Sequence, residues 1–349
     1  MLYASLFFCY NPGMNRLLNI YKTNFGRSIL IVISSFLIGY FVSYYVDYYS
    51  GSAYAGFSPI RQIDNKSPFI RPLLAYNTPE MAISSPLKDS LKKIINTGEN
   101  IGSINTASVY YRDLNTGHWF GINQDETYVP ASLFKVPLMI AYLKYAENHP
   151  YSLQEEIMDD LTTDENANQT IKPYRTLIPG HTYTVSQLIQ FMIEYSDNNA
   201  TVILFKHVDQ DVLKQVFSDL DIQIPNNNRT SDFISVANYS FLFRILYNAS
   251  YLNREMSEKA LELLVKIDFT EGLRKSVPGN IPVANKFGEY YLVQDGKVNE
   301  HQLHDCGIIY HPKYPYILCI MTKGSSLDNL EKIIQDISKT TYNTIDSIR

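Results

Sequence analysis

The chain has 349 residues, 45% hydrophobic and 19% charged, which excludes intrinsic disorder and leaves room for a sizeable core. Its net charge of −5 excludes a global basic field, so no nucleic-acid partner is expected. Three cysteines, with no CxxC or Cys/His cluster at zinc spacing, give no reason to expect a metal or other cofactor.

Residues Ser28 to Val46 carry no charge, with Arg16, Lys22 and Arg27 before them and Asp47 after. At about 1.5 Å per residue, such a run spans most of a hydrocarbon core. The charge asymmetry predicts a single-pass anchor over 28–46, with residues 1–27 cytoplasmic and the rest outside. Clustering of tyrosine near the N-terminus suits a membrane interface. A cleaved signal peptide is the alternative. Ala53-Tyr54-Ala55 resembles a small-residue cleavage site, and Met14 offers a second start, but the apolar run is long for a signal. Residues 47–83 are rich in Ser, Gly, Pro and Tyr without periodicity and read as a linker.

Leu87, Leu91, Ile94 and Ile95 share one helix face, ended by Asn96-Thr97-Gly98. The stretch ASVYYRDLNTGHWFGIN reads as two strands about a turn at Asn115-Thr116-Gly117. Ser132 to Glu147 has helical periodicity, with Pro137 early enough to be tolerated. Helical patterns dominate from about 148 to 275, including VSQLIQFMIEYS, ATVILFKHV, VANYSFLFRILYN and SEKALELLVKI. Strands return with IPVANKFGEYYLV, QLHDCGIIYHP and YPYILCIMTKG, a hairpin loop falls at His311 to Pro315, and a last helix starts near Leu327. Cys9 precedes the apolar run. Cys306 and Cys319 fall on neighbouring strands, as two buried thiols or as a cross-strand disulfide.

Strands first and last, with helices between, predict an α+β fold over residues 84–346. An antiparallel sheet from both chain ends is flanked by helices, and a helical lobe is inserted at about 148–275. The cleft between the two is the natural ligand site.

Three short motifs fall around that cleft. In Ser132-Leu133-Phe134-Lys135, hydroxyl and amine lie on one helix face, and an uncharged lysine accepts the serine proton. Ser85/Lys88 and Ser90/Lys93 match the same spacing on a polar helix, so only context singles out Ser132, which opens an apolar helix. Taken alone, Ser132 reads equally well as an N-cap. Ser196-Asp197-Asn198 supplies a hydroxyl for proton relay and an amide for a substrate, or merely a polar turn. Lys286-Phe287-Gly288 sets a cation on a strand beside a glycine that permits close approach, unless the lysine is an ordinary solvated one.

In order and location these motifs resemble the class A β-lactamase and penicillin-binding family, marked by S-x-x-K, S-D-N and K-T-G. The resemblance covers roughly residues 85 to 346. It implies Ser132 as the acylated nucleophile, Lys135 as its proton partner and Ser196 as the relay to the leaving group. Asn198, Lys286 and Gly288 would bind substrate, and the backbone N–H groups of Ser132 and Glu289 would form the oxyanion hole.

Two departures stand out. Phe287 replaces the hydroxyl residue that helps hold a substrate carboxylate. No E-x-x-L-N follows Ser196-Asp197-Asn198, and the corresponding PNNNRTSDFIS contains one acid, Asp232, read here as a cap before the next helix. His304-Asp305 does not make a triad, because neighbours on a strand point to opposite faces. The expectation is a monomeric, extracytoplasmic serine acyl-hydrolase opening β-lactam amides, with slow deacylation. A D,D-peptidase-like peptidoglycan hydrolase and a non-catalytic envelope binding protein of the same fold are the alternatives.

Overall fold

The computed structural model describes residues 60–61, 66–75, 86–222, 231–295 and 297–347, with Ser35, Leu37, Gly39 and Tyr40 as isolated helical positions. Met1–Gly56 and Phe57–Arg349 are separate compact units. The apolar run 28–46 lies largely outside the described residues; among these, no helix is long and apolar enough to cross a membrane.

Within the stretch read as a linker, β1 (Ile60–Arg61) pairs with β2 (Leu73–Ala75). Between them, Ile70 is buried, and the N–H groups of Phe69 and Ile70 donate to the Glu258 carboxylate. This segment is therefore docked on the domain.

Helix α1 (Pro86–Asn100) turns Leu87, Leu91 and Ile95 inward, as its spacing predicts. Strands β3 (Thr106–Asp113) and β4 (Trp119–Ile122) form the expected hairpin, where Asp113 Oδ1 accepts the N–H groups of Asn115 and Thr116. β5 (Thr127–Tyr128) leads to a 3-10 turn, Ala131–Phe134, and then α2 (Lys135–Ala146), which is apolar around most of its girth and buried accordingly.

The inserted lobe is not all helical. Its helices α3 (Val185–Glu194), α4 (Asn198–His207) and α5 (Gln210–Asp219) follow a small ladder of β6 (Glu156–Met158) and β7 (Thr182–Thr184). β8 (Ile234–Ser235) pairs with β5 and leads into α6 (Val236–Asn248) and α7 (Arg254–Val265). Side-chain caps start these helices where the sequence supplies them: Thr184 with Gln187 in a capping box, then Asp197, Asp209, Ser235 and Asn253. Each such cap stabilises by about 1 kcal/mol.

The chain closes with β9 (Val283–Gln294), β10 (Lys297–Ile309), β11 (Tyr316–Gly324) and α8 (Leu327–Asp346). The five-stranded sheet runs β4-β3-β11-β10-β9 with every neighbouring pair antiparallel, so β11 docks on the N-terminal hairpin. Both chain ends thus build one sheet. One face packs Leu318 and Ile320 against Leu91 of α1 and Ile334 and Ile337 of α8. The other packs under α6 and the lobe. Each buried leucine or isoleucine contributes roughly 1.5–3 kcal/mol. Cys306 and Cys319 stand directly opposite on β10 and β11 and form a disulfide, with 3.9 Å between their Cα atoms.

Candidate active site

Ser132 lies in the 3-10 turn rather than in the α-helix expected from Ser132 onward. In a 3-10 turn, side chains three apart eclipse one another, so Ser132 and Lys135 share a side. The preceding Ala131 has φ 48°, a left-handed conformation that costs a β-carbon-bearing residue about 1–3 kcal/mol. Pro130 occupies the N-cap position, and the Ser132 hydroxyl bonds to no described residue, so it is not spent on capping.

Lys135 opens α2 and is only 3% exposed. Burial pushes its pKa down to about 7, outweighing the opposite pull of Asp197. Its Nζ lies 2.6 Å from the Ser196 carbonyl oxygen, 3.1 Å from Ser196 Oγ and 2.8 Å from Asn198 Oδ1.

Ser196 sits between α3 and α4 with φ 57°, a second left-handed non-glycine residue. Asp197 holds it there: one carboxylate oxygen accepts the Ala200 N–H at the start of α4, the other the Leu177 N–H. Ser196 Oγ is also 3.0 Å from Nζ of Lys286, which arrives from β9. Two amines therefore flank one hydroxyl. Burial holds Lys286 well below the ordinary lysine range, and Lys135 pushes the same way, against the pull of Asp305.

Gly288 has a structural reason beyond substrate access. A Cβ there would lie 2.8 Å from the Pro130 carbonyl oxygen and 3.2 Å from Leu133 N. The missing side chain lets β9 approach the turn that carries Ser132.

These elements enclose a cavity of about 400 Å³ lined by Ser132, Lys135, Ser196, Asn198, Phe287 and Glu289, among others. Lys286 and Gly288 stand behind this surface. The sequence reading missed a further part of the wall. The loop between β6 and β7 brings Glu165, Asn168, Gln169 and Ile171 to the cavity. It is tied on by backbone N–H bonds, Glu165 to Asn199 Oδ1 and Asn198 to Asn166 Oδ1, and by Gln169 Nε2 donating to the Ser196 carbonyl. Its polar sequence has no periodicity, so only the tertiary contacts reveal it.

Asp232 is neither a cap nor at the cavity. Ser235 caps α6, while Asp232 accepts from Lys323 Nζ at 2.7 Å and from Gln302 Nε2 at 3.2 Å. Six residues of PNNNRTSDFIS, 225–230, lie outside the described residues. His304 and Asp305 are buried and part company as neighbours on a strand do. His304 Nε2 meets the Val129 carbonyl, whereas Asp305 accepts from Leu273 N and Asn285 Nδ2.

With this geometry in hand, the kinship is clear. Residues 86–345 match the family described as the β-lactamase enzyme family. The chain belongs to it. Solved structures share the fold. PBP-A, seen as a mutant acyl-enzyme with penicillin G, superposes with TM-score 0.64 at 18% identity, over 78% of this chain and 100% of that one. The β-lactamase from Chitinophaga pinensis gives TM-score 0.63 at 20% identity, over 75% and 100%. That from Sphaerobacter thermophilus gives 0.61 at 21%, over 74% and 97%. No curated protein sequence matches the chain. The family brings the serine-hydrolase fold.

Proposed function

We propose that this member of the family is an extracytoplasmic serine acyl-hydrolase, opening β-lactam amides through an acyl-Ser132 intermediate that it releases slowly. The supporting observation is the Ser196 hydroxyl held between the amines of Lys135 and Lys286, at 3.1 and 3.0 Å, beside the cavity that Ser132 lines. The Ser196 carbonyl and Asn198 Oδ1 can only accept, so two Lys135 N–H bonds point at them. A hydroxyl both donates and accepts. Ser196 Oγ takes an N–H from Lys135 and another from Lys286, which leaves its own proton free to be given to a leaving group. That is a proton path with a base at one end.

On substrate entry, neutral Lys135 takes the Ser132 proton as Oγ adds to the acyl carbon. The proton then passes through Ser196 to the leaving nitrogen as the C–N bond breaks. The N–H groups of Ser132 and Glu289 would stabilise the oxyanion, and Asn198 would hold the substrate amide.

Release needs water and a base. Among the described residues, no carboxylate from between Asn198 and Lys286 lines the cavity, and the two acids that do line it, Glu165 and Glu289, accept from Thr163 Oγ1 and the Ile171 N–H. Lys135 would then serve both steps, which slows release of a bulky acyl group. The same observation favours, as a second reading, a D,D-peptidase-like hydrolase acting on small, mobile peptidoglycan acyl groups.

Export is supported by the charge asymmetry around 28–46, and by the Cys306–Cys319 disulfide, a bond favoured outside the cytoplasm. An uncleaved anchor is proposed over secretion after cleavage near Ala55. Protease on intact cells should then remove the domain.

The acyl-enzyme is tested by long incubation with a fluorescent penicillin at high concentration. A label that persists on Ser132 is expected. Rapid loss of label overturns slow release, and no label at all favours a binding protein without turnover.

A further inference from the structure

The strand wall of the cavity is unsuited to an anion. Lys286, the cation of the third motif, is fully buried and is not among the residues lining the cavity. Its Nζ donates to Ser196 Oγ and to the Phe287 carbonyl, and lies 4.1 Å from the centre of the Phe287 ring. That ring is held in place, stacked on Phe269 with centroids 4.2 Å apart. A substrate carboxylate therefore meets the Phe287 side chain where it would need the ammonium.

The next lining residue adds the wrong charge. Glu289 accepts the Ile171 N–H with Oε2 at 2.9 Å, while its Oε1 is buried without a hydrogen-bond partner. Glu165 is a second acidic residue on the cavity wall, its carboxylate accepting the Thr163 hydroxyl. Among the described lining residues the one lysine or arginine is Lys135, whose three contacts are all to groups of the site itself. Two acidic residues thus line the cavity, and its one described lysine or arginine is already bonded within the site. Like charges repel, so an uncharged group is favoured over a carboxylate beside these acids.

We propose that the acyl donor preferred by this site carries an uncharged carboxamide beyond the scissile bond, where a penicillin carries a carboxylate. The inference rests on the acyl-Ser132 reading and specifies its substrate class. For a thioester donor, the Ser132 Oγ–C bond forms, the C–S bond breaks, and the Ser132 proton leaves with the thiol. Water then splits the acyl ester, giving a carboxylic acid and free Ser132. Penicillins as free acids acylate slowly by the same logic.

A matched pair of N-benzoyl-alanyl thioesters tests this on the full chain, with thioglycolamide or thioglycolate as the leaving thiol. Thiol release is followed with a chromogenic thiol reagent, and Ser132 acylation by mass. The carboxamide should give a kcat/KM about tenfold or more higher than the carboxylate. Phe287→Thr, which uncovers Lys286, should bring the ratio to one or below. Glu289→Gln keeps an acceptor for the Ile171 N–H and should lower the ratio about threefold by removing charge; it decides the matter if Phe287→Thr does not fold. Equal or faster release from the carboxylate in the unaltered protein overturns the inference while leaving acyl-Ser132 standing. A ratio unmoved by the variants also overturns it. Release from both thioesters that is unchanged in Ser132→Ala overturns the acyl-Ser132 reading itself, and the inference with it.

Discussion

The helical-lobe wall of the cavity and its strand wall differ in how completely their polar groups are satisfied. On the lobe side, Lys135, Ser196, Asp197 and Asn198 form a closed set in which each side chain has a named partner within 3.2 Å. Two left-handed residues, Ala131 and Ser196, are held in place by that set and by the turn before α2. On the strand side, Phe287 covers Lys286 and Glu289 keeps an unpartnered oxygen. The walls are joined by the Lys286 N–H bond to Ser196 Oγ, yet the lobe wall is closed on itself while the strand wall keeps an unmet acceptor.

The largest effect should come from breaking the lobe wall. Ser132→Ala is expected to abolish covalent labelling with the fold intact, whereas Ser85→Ala and Ser90→Ala leave it unchanged. Intact-protein mass after incubation with an acyl donor checks all three, and labelling of Ser132→Ala at the unaltered rate ends the assignment. Lys135→Ala should then slow acylation by about 10²–10⁴-fold, the usual range for a lost general base. A loss under tenfold would hand the base role to another group.

Much of the lobe wall was legible in the sequence, because its parts are local. A hydroxyl and amine three apart, a cap residue before a helix and a lysine on a strand all leave short-range marks. The sheet was legible too, since Leu318 and Ile320 on β11 pair with the hairpin of β3 only if both chain ends meet. What stayed hidden depends on contacts between distant segments. Nothing in the spacing shows that the 3-10 turn starts before Ser132, that Gly288 makes room for Pro130, or that the β6–β7 loop closes the cavity. Asp232 misled for the same reason: as an acid shortly before a helix it looked like a cap, and only Lys323, 91 positions on, explains it.

A gentler way to probe the lobe wall is pH. Lys135 holds a pKa of about 7 in the folded chain against an ordinary 10.5. In the proposed mechanism its neutral form is the base, so acylation should rise through pH 7, falling about tenfold per unit well below it. Stability carries the opposite face of the same shift. Between about 7 and 10.5 the unfolded chain binds the proton that folded Lys135 releases, so stability grows as pH rises through that window. Lys135→Ala should lose this slope in denaturant melts taken at several pH values. An acylation profile flat from pH 5 to 9 would remove Lys135 as the base.

The smallest expected effect is at Asp232, and it sharpens the contrast between the walls by testing a residue that belongs to neither. Its carboxylate is bonded to Lys323 and Gln302, and its side chain is 38% exposed. An exposed pair of this kind contributes about 0–1 kcal/mol, less after screening by salt, so Asp232→Asn should lower the melting temperature by a few degrees at most. Turnover should change less than about twofold, since a carboxylate turned toward Lys323 is not placed to activate water at acyl-Ser132. Stopped-flow thiol release from the carboxamide thioester reads this directly. A burst followed by slow release, the same in both proteins, is expected if Lys135 serves both steps. Rapid turnover without a burst, lost in Asp232→Asn, would instead require the segment before α6 to swing Asp232 off Lys323 and into the cavity during each cycle, making it the deacylation base.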